Sequence, residues 1–128
     1  MTITELDELL VRLGRQRFTE HAFRVDHHGP DILAFVRDWG AGTADVVILF
    51  DERVAWAYRT ATGPDIDVFA PELVSWWYGS CPVWTLRAVI TLPGPGHPEA
   101  PNQLLNPPPG YGLPKTGRMP VRVRMRNG

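Results

Sequence analysis

Leucines spaced three and four residues apart mark the first regular element of the chain. The stripe consists of Leu6, Leu9, Leu10 and Leu13. This spacing places apolar side chains on one face of an α-helix. Thr4 is a suitable N-cap residue, and Gly14 is a suitable residue at the end. The pattern therefore predicts a helix over residues 4–14.

Four segments with the periodicity of β-strands follow, at residues 20–28, 32–39, 46–50 and 54–60. The third is apolar without alternation, as in a central strand that is covered on both faces. In the fourth, Trp56 and Tyr58 share one face, whereas Ala55 and Ala57 on the other would let a helix approach closely. Every connection is as short as a hairpin, which predicts an antiparallel meander.

A short helix and a further strand are expected next. Pro71 suits the first position of a helix that carries Trp76 and Trp77, runs to Tyr78 and ends at Gly79. Alternating apolar residues then predict a fifth strand over 83–92.

Proline and glycine dominate residues 93–120, which hold nine of the 13 prolines and five of the 12 glycines. Such a composition excludes both helix and central strand. Leu104, Leu105, Tyr111 and Leu113 give this segment apolar side chains to bury, so we expect an arm packed on the body. From Val121 onward apolar residues alternate with arginines, which predicts a short edge strand.

The order of these elements predicts an α+β fold in which the helices pack on one face of an antiparallel sheet. The 128 residues are enough for one hydrophobic core. We expect a single domain over 1–92, the Pro/Gly-rich arm over 93–120 and a basic strand or tail over 121–128.

Basic residues are unevenly distributed along the chain. Residues 1–80 carry a balance of −6, and residues 81–128 carry +5. The basic tail includes Arg118, Arg122, Arg124 and Arg126. It either neutralises its own body or meets an anionic partner, and nucleic acid is a second alternative that the acidic body disfavours.

The composition predicts a protein of a GC-rich bacterium, of the actinobacterial kind, or of its phage. The lack of a recognisable targeting signal predicts a cytoplasmic location. Lys115 is the only lysine, and Cys81 is the only cysteine, which excludes a disulfide framework. The acidic start lacks the apolar segment of a signal peptide, and no apolar run reaches the roughly 18 residues of a membrane helix. Residues 113–117 match a sortase signal, which we interpret as a chance match because those accompanying features are missing.

Few residues are candidates for catalysis or metal binding. His21 and His27 would lie about 20 Å apart on an extended strand, too far to share a metal ion. Cys81 would follow the short helix and lie at the negative end of its dipole, which is typical of a structural cysteine. We therefore expect no catalytic residue, metal or cofactor. The alternative is a small enzyme or ligand-binding domain that uses His27, His28 and Asp31, with Trp56 and Tyr58 lining its pocket.

Aromatic residues supply the leading functional prediction. Five of them are candidate anchors for a protein partner: Trp76, Trp77, Tyr78, Trp84 and Tyr111. Tryptophan and tyrosine are enriched in interaction hot spots. We expect a non-enzymatic protein-interaction module, of the toxin-neutralising (immunity) or assembly type, that does not bind membranes. Whether the chain also forms a homo-oligomer is left open. Residues 108–111 also match a WW-domain ligand, although packing of Tyr111 on the body is favoured.

Overall fold

The computed structural model describes residues 4–114 and 118–125. In these residues the chain forms two α-helices and six β-strands. In chain order they are α1 (Glu5–Arg15), β1 (Thr19–Arg24), β2 (Ile32–Asp38), β3 (Thr43–Leu49), β4 (Ala55–Ala61), β5 (Trp76–Ser80), α2 (Pro82–Ile90) and β6 (Met119–Met125). The predicted α+β class is confirmed.

One antiparallel sheet contains all six strands, in the order β5-β4-β3-β2-β1-β6. The predicted meander over β1 to β4 is confirmed, because each of these strands pairs with the next. β5 extends the meander at one edge. β6 crosses back to pair with β1 at the opposite edge, where Arg124 lies across from Glu20.

The assignments predicted for residues 71–92 are wrong, because the strand and the helix are interchanged. Trp76–Ser80 is a strand paired with β4, and Pro82–Ile90 is a helix. The consecutive aromatics of β5 suit the half-buried surface of a sheet. In α2, the buried residues Leu86, Val89 and Ile90 have helical spacing, and Pro82 occupies the first turn. Cys81 therefore precedes a helix, at the positive end of its dipole, which is the reverse of the expectation.

The start of α1 is fixed by reciprocal capping. The Thr4 hydroxyl accepts the backbone N–H of Asp7 at 3.1 Å, and the Asp7 carboxylate accepts the backbone N–H of Thr4 at 3.3 Å. This capping box satisfies two amide donors that lack partners within the helix. The predicted N-cap is confirmed.

Thr4→Ala is expected to lower the free energy of unfolding by about 1 kcal/mol, because the substitution removes the acceptor for the Asp7 amide. Urea unfolding followed by circular dichroism measures this loss. Thr4→Ser keeps the hydroxyl and should retain most of the stability. Equal losses in the two variants would contradict a capping role for the hydroxyl.

Both helices pack on one face of the sheet. Leu9 and Leu13 of α1 and Leu86 and Val89 of α2 share a buried cluster with Ala57 of β4. The Thr85 hydroxyl of α2 also donates to the Ala55 carbonyl at 3.4 Å. The small side chains of β4 thus admit α2 closely, as the sequence predicted.

Irregular chain covers the second face. Leu113 of the arm is buried there with Val74 and Tyr58, and its amide donates to the Phe69 carbonyl at 2.6 Å. The Tyr58 hydroxyl donates to the Val68 carbonyl at 2.6 Å. The sheet therefore lies between a helical layer and a layer built from the β4–β5 connection and the arm. In the part of the chain that the structure describes, neither helix is long and apolar enough to cross a membrane.

Candidate functional site: the aromatic edge of the sheet

β5 divides the predicted anchors between the two faces of the sheet. Trp76 packs against the cluster beneath the helices, and its ring stacks with that of Tyr78 at 6.5 Å between centroids. Trp77 lies on the opposite face and is 44% exposed. Trp84 is on α2, 55% exposed, with the Arg87 guanidinium 4.9 Å from its ring centroid. The five residues therefore do not form one continuous cluster.

Tyr111 brings the arm onto the aromatic side of β4 and β5. Its ring stacks on Trp56 at 5.4 Å and meets Trp77 edge-on at 5.7 Å. Burial raises the pKa of the Tyr111 phenol. Gly79 makes room for this ring, because a Cβ atom there would overlap the Tyr111 hydroxyl oxygen. The structure thus unites Trp77 and Tyr111, which are far apart in sequence.

The outer side of β5 is an edge of the sheet. Val74 exchanges backbone hydrogen bonds with Leu105 of the arm, at 2.8 and 2.7 Å, whereas the Ser75 amide donates inward to Arg59. Backbone groups of successive strand residues point alternately to the two sides. The Arg59 carbonyl, which accepts the Ser75 amide, points toward β5, and Arg59 is also the register partner of Trp76, so the alternation shifts by one residue between Ser75 and Trp76. Trp76, Tyr78 and Ser80 therefore direct their backbone groups inward to β4, whereas Trp77 and Gly79 direct theirs outward. Among the described residues, no backbone hydrogen bond reaches their outer side.

Exposed apolar side chains flank this edge. Leu105 forms the bridge with Val74, Leu73 precedes Val74, and Leu104 is 65% exposed. We use the name β5 edge surface for the outer backbone of Trp76–Ser80 together with the exposed side chains of Leu73, Trp77, Leu104 and Leu105.

Arginines of the basic tail form ion pairs with the acidic body. Arg118 binds both carboxylate oxygens of Asp67, at 2.8 and 2.7 Å. Arg124 lies 2.6 Å from Glu20, which is buried, and Arg122 lies 3.7 Å from the same carboxylate. These contacts favour the interpretation that the tail neutralises its own body. Arg126 lies outside the described residues.

The histidines of the alternative site do not converge with its predicted aromatic lining. His27 and His28 are exposed in the β1–β2 connection, and Asp31 accepts two hydrogen bonds from Arg24. Tyr58 is fully buried with its hydroxyl bonded to Val68, so it lines no open pocket. Within residues 4–114 and 118–125, no three histidine, cysteine or carboxylate side chains form a group able to hold a metal ion.

His21 lies apart from the other two histidines, on β1. Its ring contacts Phe69 edge-on at 5.1 Å and stacks with Phe23 at 6.2 Å. Burial lowers the pKa of His21, which favours the neutral imidazole. This histidine therefore packs as an aromatic ring in the layer beneath the arm.

A buried ion cluster was missed by the sequence reasoning. Asp45 of β3 is fully buried and lies across from Arg37 on β2 and Arg59 on β4. Arg59 binds both of its carboxylate oxygens, at 2.6 and 3.0 Å, and the Trp39 indole donates to it at 2.9 Å. A carboxylate inside an otherwise apolar strand was the available signal, since the meander places arginines on both sides of it.

Leu113, the first residue of the sortase-like string, is buried in the core beneath the arm. The string continues through Pro114 into residues 115–117, which lie outside the described part of the chain. No family model matches the sequence, and no match was found among curated proteins or solved structures.

Proposed function

We propose that this chain is a non-enzymatic protein-interaction module that binds an extended segment of a protein partner at the β5 edge surface. One observation carries the proposal: an edge strand that directs backbone groups outward lies beside exposed apolar side chains. An added strand would satisfy those backbone groups, and pockets between the side chains would select its sequence.

The two edges of the sheet differ in how well they are protected. Natural sheets block their edges with charged residues and proline. β6 has both, since Arg122, Arg124 and Pro120 lie within it. β5 reads Trp-Trp-Tyr-Gly-Ser and has neither. The unprotected edge is therefore the one beside the exposed Trp77.

Trp77 is the side chain on which this proposal is tested. Its exposure makes Trp77→Ala tolerable for the fold, whereas Trp76→Ala would remove packing from the helix-side core. We expect Trp77→Ala to weaken partner capture by about 30-fold, as for a hot-spot residue that contributes ~2 kcal/mol. Quantitative pull-down from a bacterial lysate, with matched purified variants, measures the change.

Trp84→Ala is the matched control, because it removes a tryptophan that is at least as exposed, from α2. It should leave capture unchanged. Hydrogen exchange should also slow at the outward-pointing amides of Trp77 and Gly79 in the complex. Equal losses in the two variants, unchanged exchange at β5, or no partner for the folded protein would refute the proposal.

A further inference from the structure

A large groove lies on the helix side, away from the exposed face of Trp77. It has a volume of about 740 Å³ and lies between the starts of both helices and the β3–β4 turn. Its lining includes Leu6 of α1, Leu33 of β2, Leu49 of β3 and Pro82 of α2. None of the described residues fills this space.

Apolar side chains form most of the groove lining. Leu6, Leu33 and Leu49 are half-buried and also pack against the helix-side core, which holds them in place. Phe50 is 43% exposed at the mouth, and its ring lies 5.2 Å from that of Trp56. An apolar side chain that entered here would meet a preformed surface, at little cost in ordering the protein.

Carboxylates line the rim of the groove. Asp51 and Glu52 are both exposed in the turn, against the single cation of Arg53. Asp51 is fixed in place because it accepts the amides of Arg53 and Val54 at 2.7 and 2.8 Å. Asp31 adds a third carboxylate, which Arg24 at 3.1 Å and Arg122 at 3.9 Å already pair. The rim thus has an excess of negative charge.

The first turn of α1 extends this acidic character. It carries Glu5, Asp7 and Glu8 around Leu6, the residue that enters the groove. Glu5 pairs with Arg87, and Asp7 belongs to the capping box. Basic residues of α1 lie in its last turn instead, at Arg12 and Arg15. An approaching cation would therefore be attracted to the groove end of the molecule.

We infer that this groove is a second contact site for the protein partner and takes an apolar side chain flanked by arginine or lysine. The inference rests on the proposed function in assigning the partner to proteins. It does not depend on the β5 edge surface, since different side chains carry it.

The openness of the groove favours a protein segment over a small ligand. Small-molecule sites enclose most of the ligand surface. This groove is open to solvent, so a small ligand would stay largely hydrated. A chain segment can place one side chain on the apolar floor while its flanking residues reach the carboxylates outside. Charge complementarity of this kind gives specificity and raises the association rate.

A titration of the full-length ¹⁵N-labelled protein with a capped peptide of alternating arginine and leucine tests the inference. We expect saturable amide shifts at Leu6, Leu33 and Phe50. Glu52→Arg should weaken binding about tenfold, because it reverses the exposed charge on the rim. Glu99→Arg makes the same change of charge on the arm and should leave the affinity unchanged.

Three further outcomes would contradict the inference. A glutamate–leucine peptide that bound equally well would overturn the role of charge. Phenethylamine that bound as tightly as the peptide would make the groove a small-molecule site and overturn the partner assignment. Shifts confined to residues outside the groove would also refute the inference.

Trp77→Ala separates this test from that of the proposed function. The variant should give the same peptide shifts in the groove, even though we expect it to lose partner capture. If Trp77→Ala removed the groove shifts, the groove would not be an independent contact site. If instead capture survived Trp77→Ala while the peptide still bound the groove, the assignment of the β5 edge surface would fail alone.

Discussion

Asp45→Asn is expected to lower the free energy of unfolding by about 3–5 kcal/mol, the largest effect that we predict for a single substitution. The substitution keeps the size of the side chain but removes the negative charge that pairs with both Arg37 and Arg59. The Arg59 guanidinium would then stay inside the protein without a counter-charge, and the partly exposed Arg37 would lose its ion pair. An uncompensated buried charge costs far more than the loss of an exposed ion pair.

The geometry of the cluster explains why relaxation would be restricted. Arg59 is almost fully buried, and its remaining guanidinium nitrogen donates to the Pro93 carbonyl at 2.7 Å. Arg37 lies between rings, 4.0 Å from the centroid of Trp39 and 4.8 Å from that of Phe18. Burial lowers the pKa of Arg37, whereas the nearby Asp45 raises it. Arg59 cannot reach water without breaking these contacts.

Asp38→Asn is the matched control, because Asp38 is an exposed carboxylate on β2 whose Oδ1 accepts the Gly40 amide. Asparagine can keep that bond, so we expect a change of less than about 0.5 kcal/mol. Urea unfolding followed by tryptophan fluorescence compares the two variants. A loss for Asp45→Asn as small as that of the control would show that the buried charges are not coupled.

The sequence was sufficient for the first half of the fold, because local signals there agree with tertiary packing. The leucine stripe and Thr4 fixed α1, and short turns between periodic segments left the meander as the simplest arrangement. Where Ala55 and Ala57 predicted a closely packed helix, the structure places α2. Local preference and long-range packing point to the same structure in such segments.

Residues 71–92 show why local signals fail. Pro71 and Pro82 are both acceptable at a helix start, and aromatics from Trp76 to Tyr78 are tolerated in either state. The segment 83–92 shows strand alternation and also the helical spacing of Leu86, Val89 and Ile90. Pairing with β4 decides the outcome, since β5 completes an edge of the sheet while α2 covers its face.

The candidate sites were less predictable because they depend on contacts between distant residues. Trp77 and Tyr111 were identified individually as candidate anchors, but their contact requires the arm to fold back over β4 and β5. The groove joins Leu6, Leu49 and Pro82 from three elements. No periodic pattern relates such positions, so only the tertiary structure brings them together.

Gly79→Ala is expected to lower the free energy of unfolding by about 1–3 kcal/mol, as overpacking does in other protein cores. A Cβ atom at this position would overlap the Tyr111 hydroxyl oxygen and lie 3.1 Å from Cζ of the same ring. The ring cannot simply turn aside, because Trp56 stacks on it and Trp77 contacts its edge. The arm must therefore shift away from β5, or the strand must bend.

Tyr111→Phe provides the test of this mechanism, because it removes only the oxygen that the new methyl group would strike. In the double variant, Gly79→Ala should cost clearly less than it does alone, and the difference measured by urea unfolding is the coupling between the two residues. Strictly additive losses would mean that Gly79 is required for its backbone and not for the approach of Tyr111. Recovery of stability in the double variant would instead establish that the Tyr111 ring positions the arm. The aromatic contact beside the β5 edge surface would then depend on Gly79 of the edge strand itself.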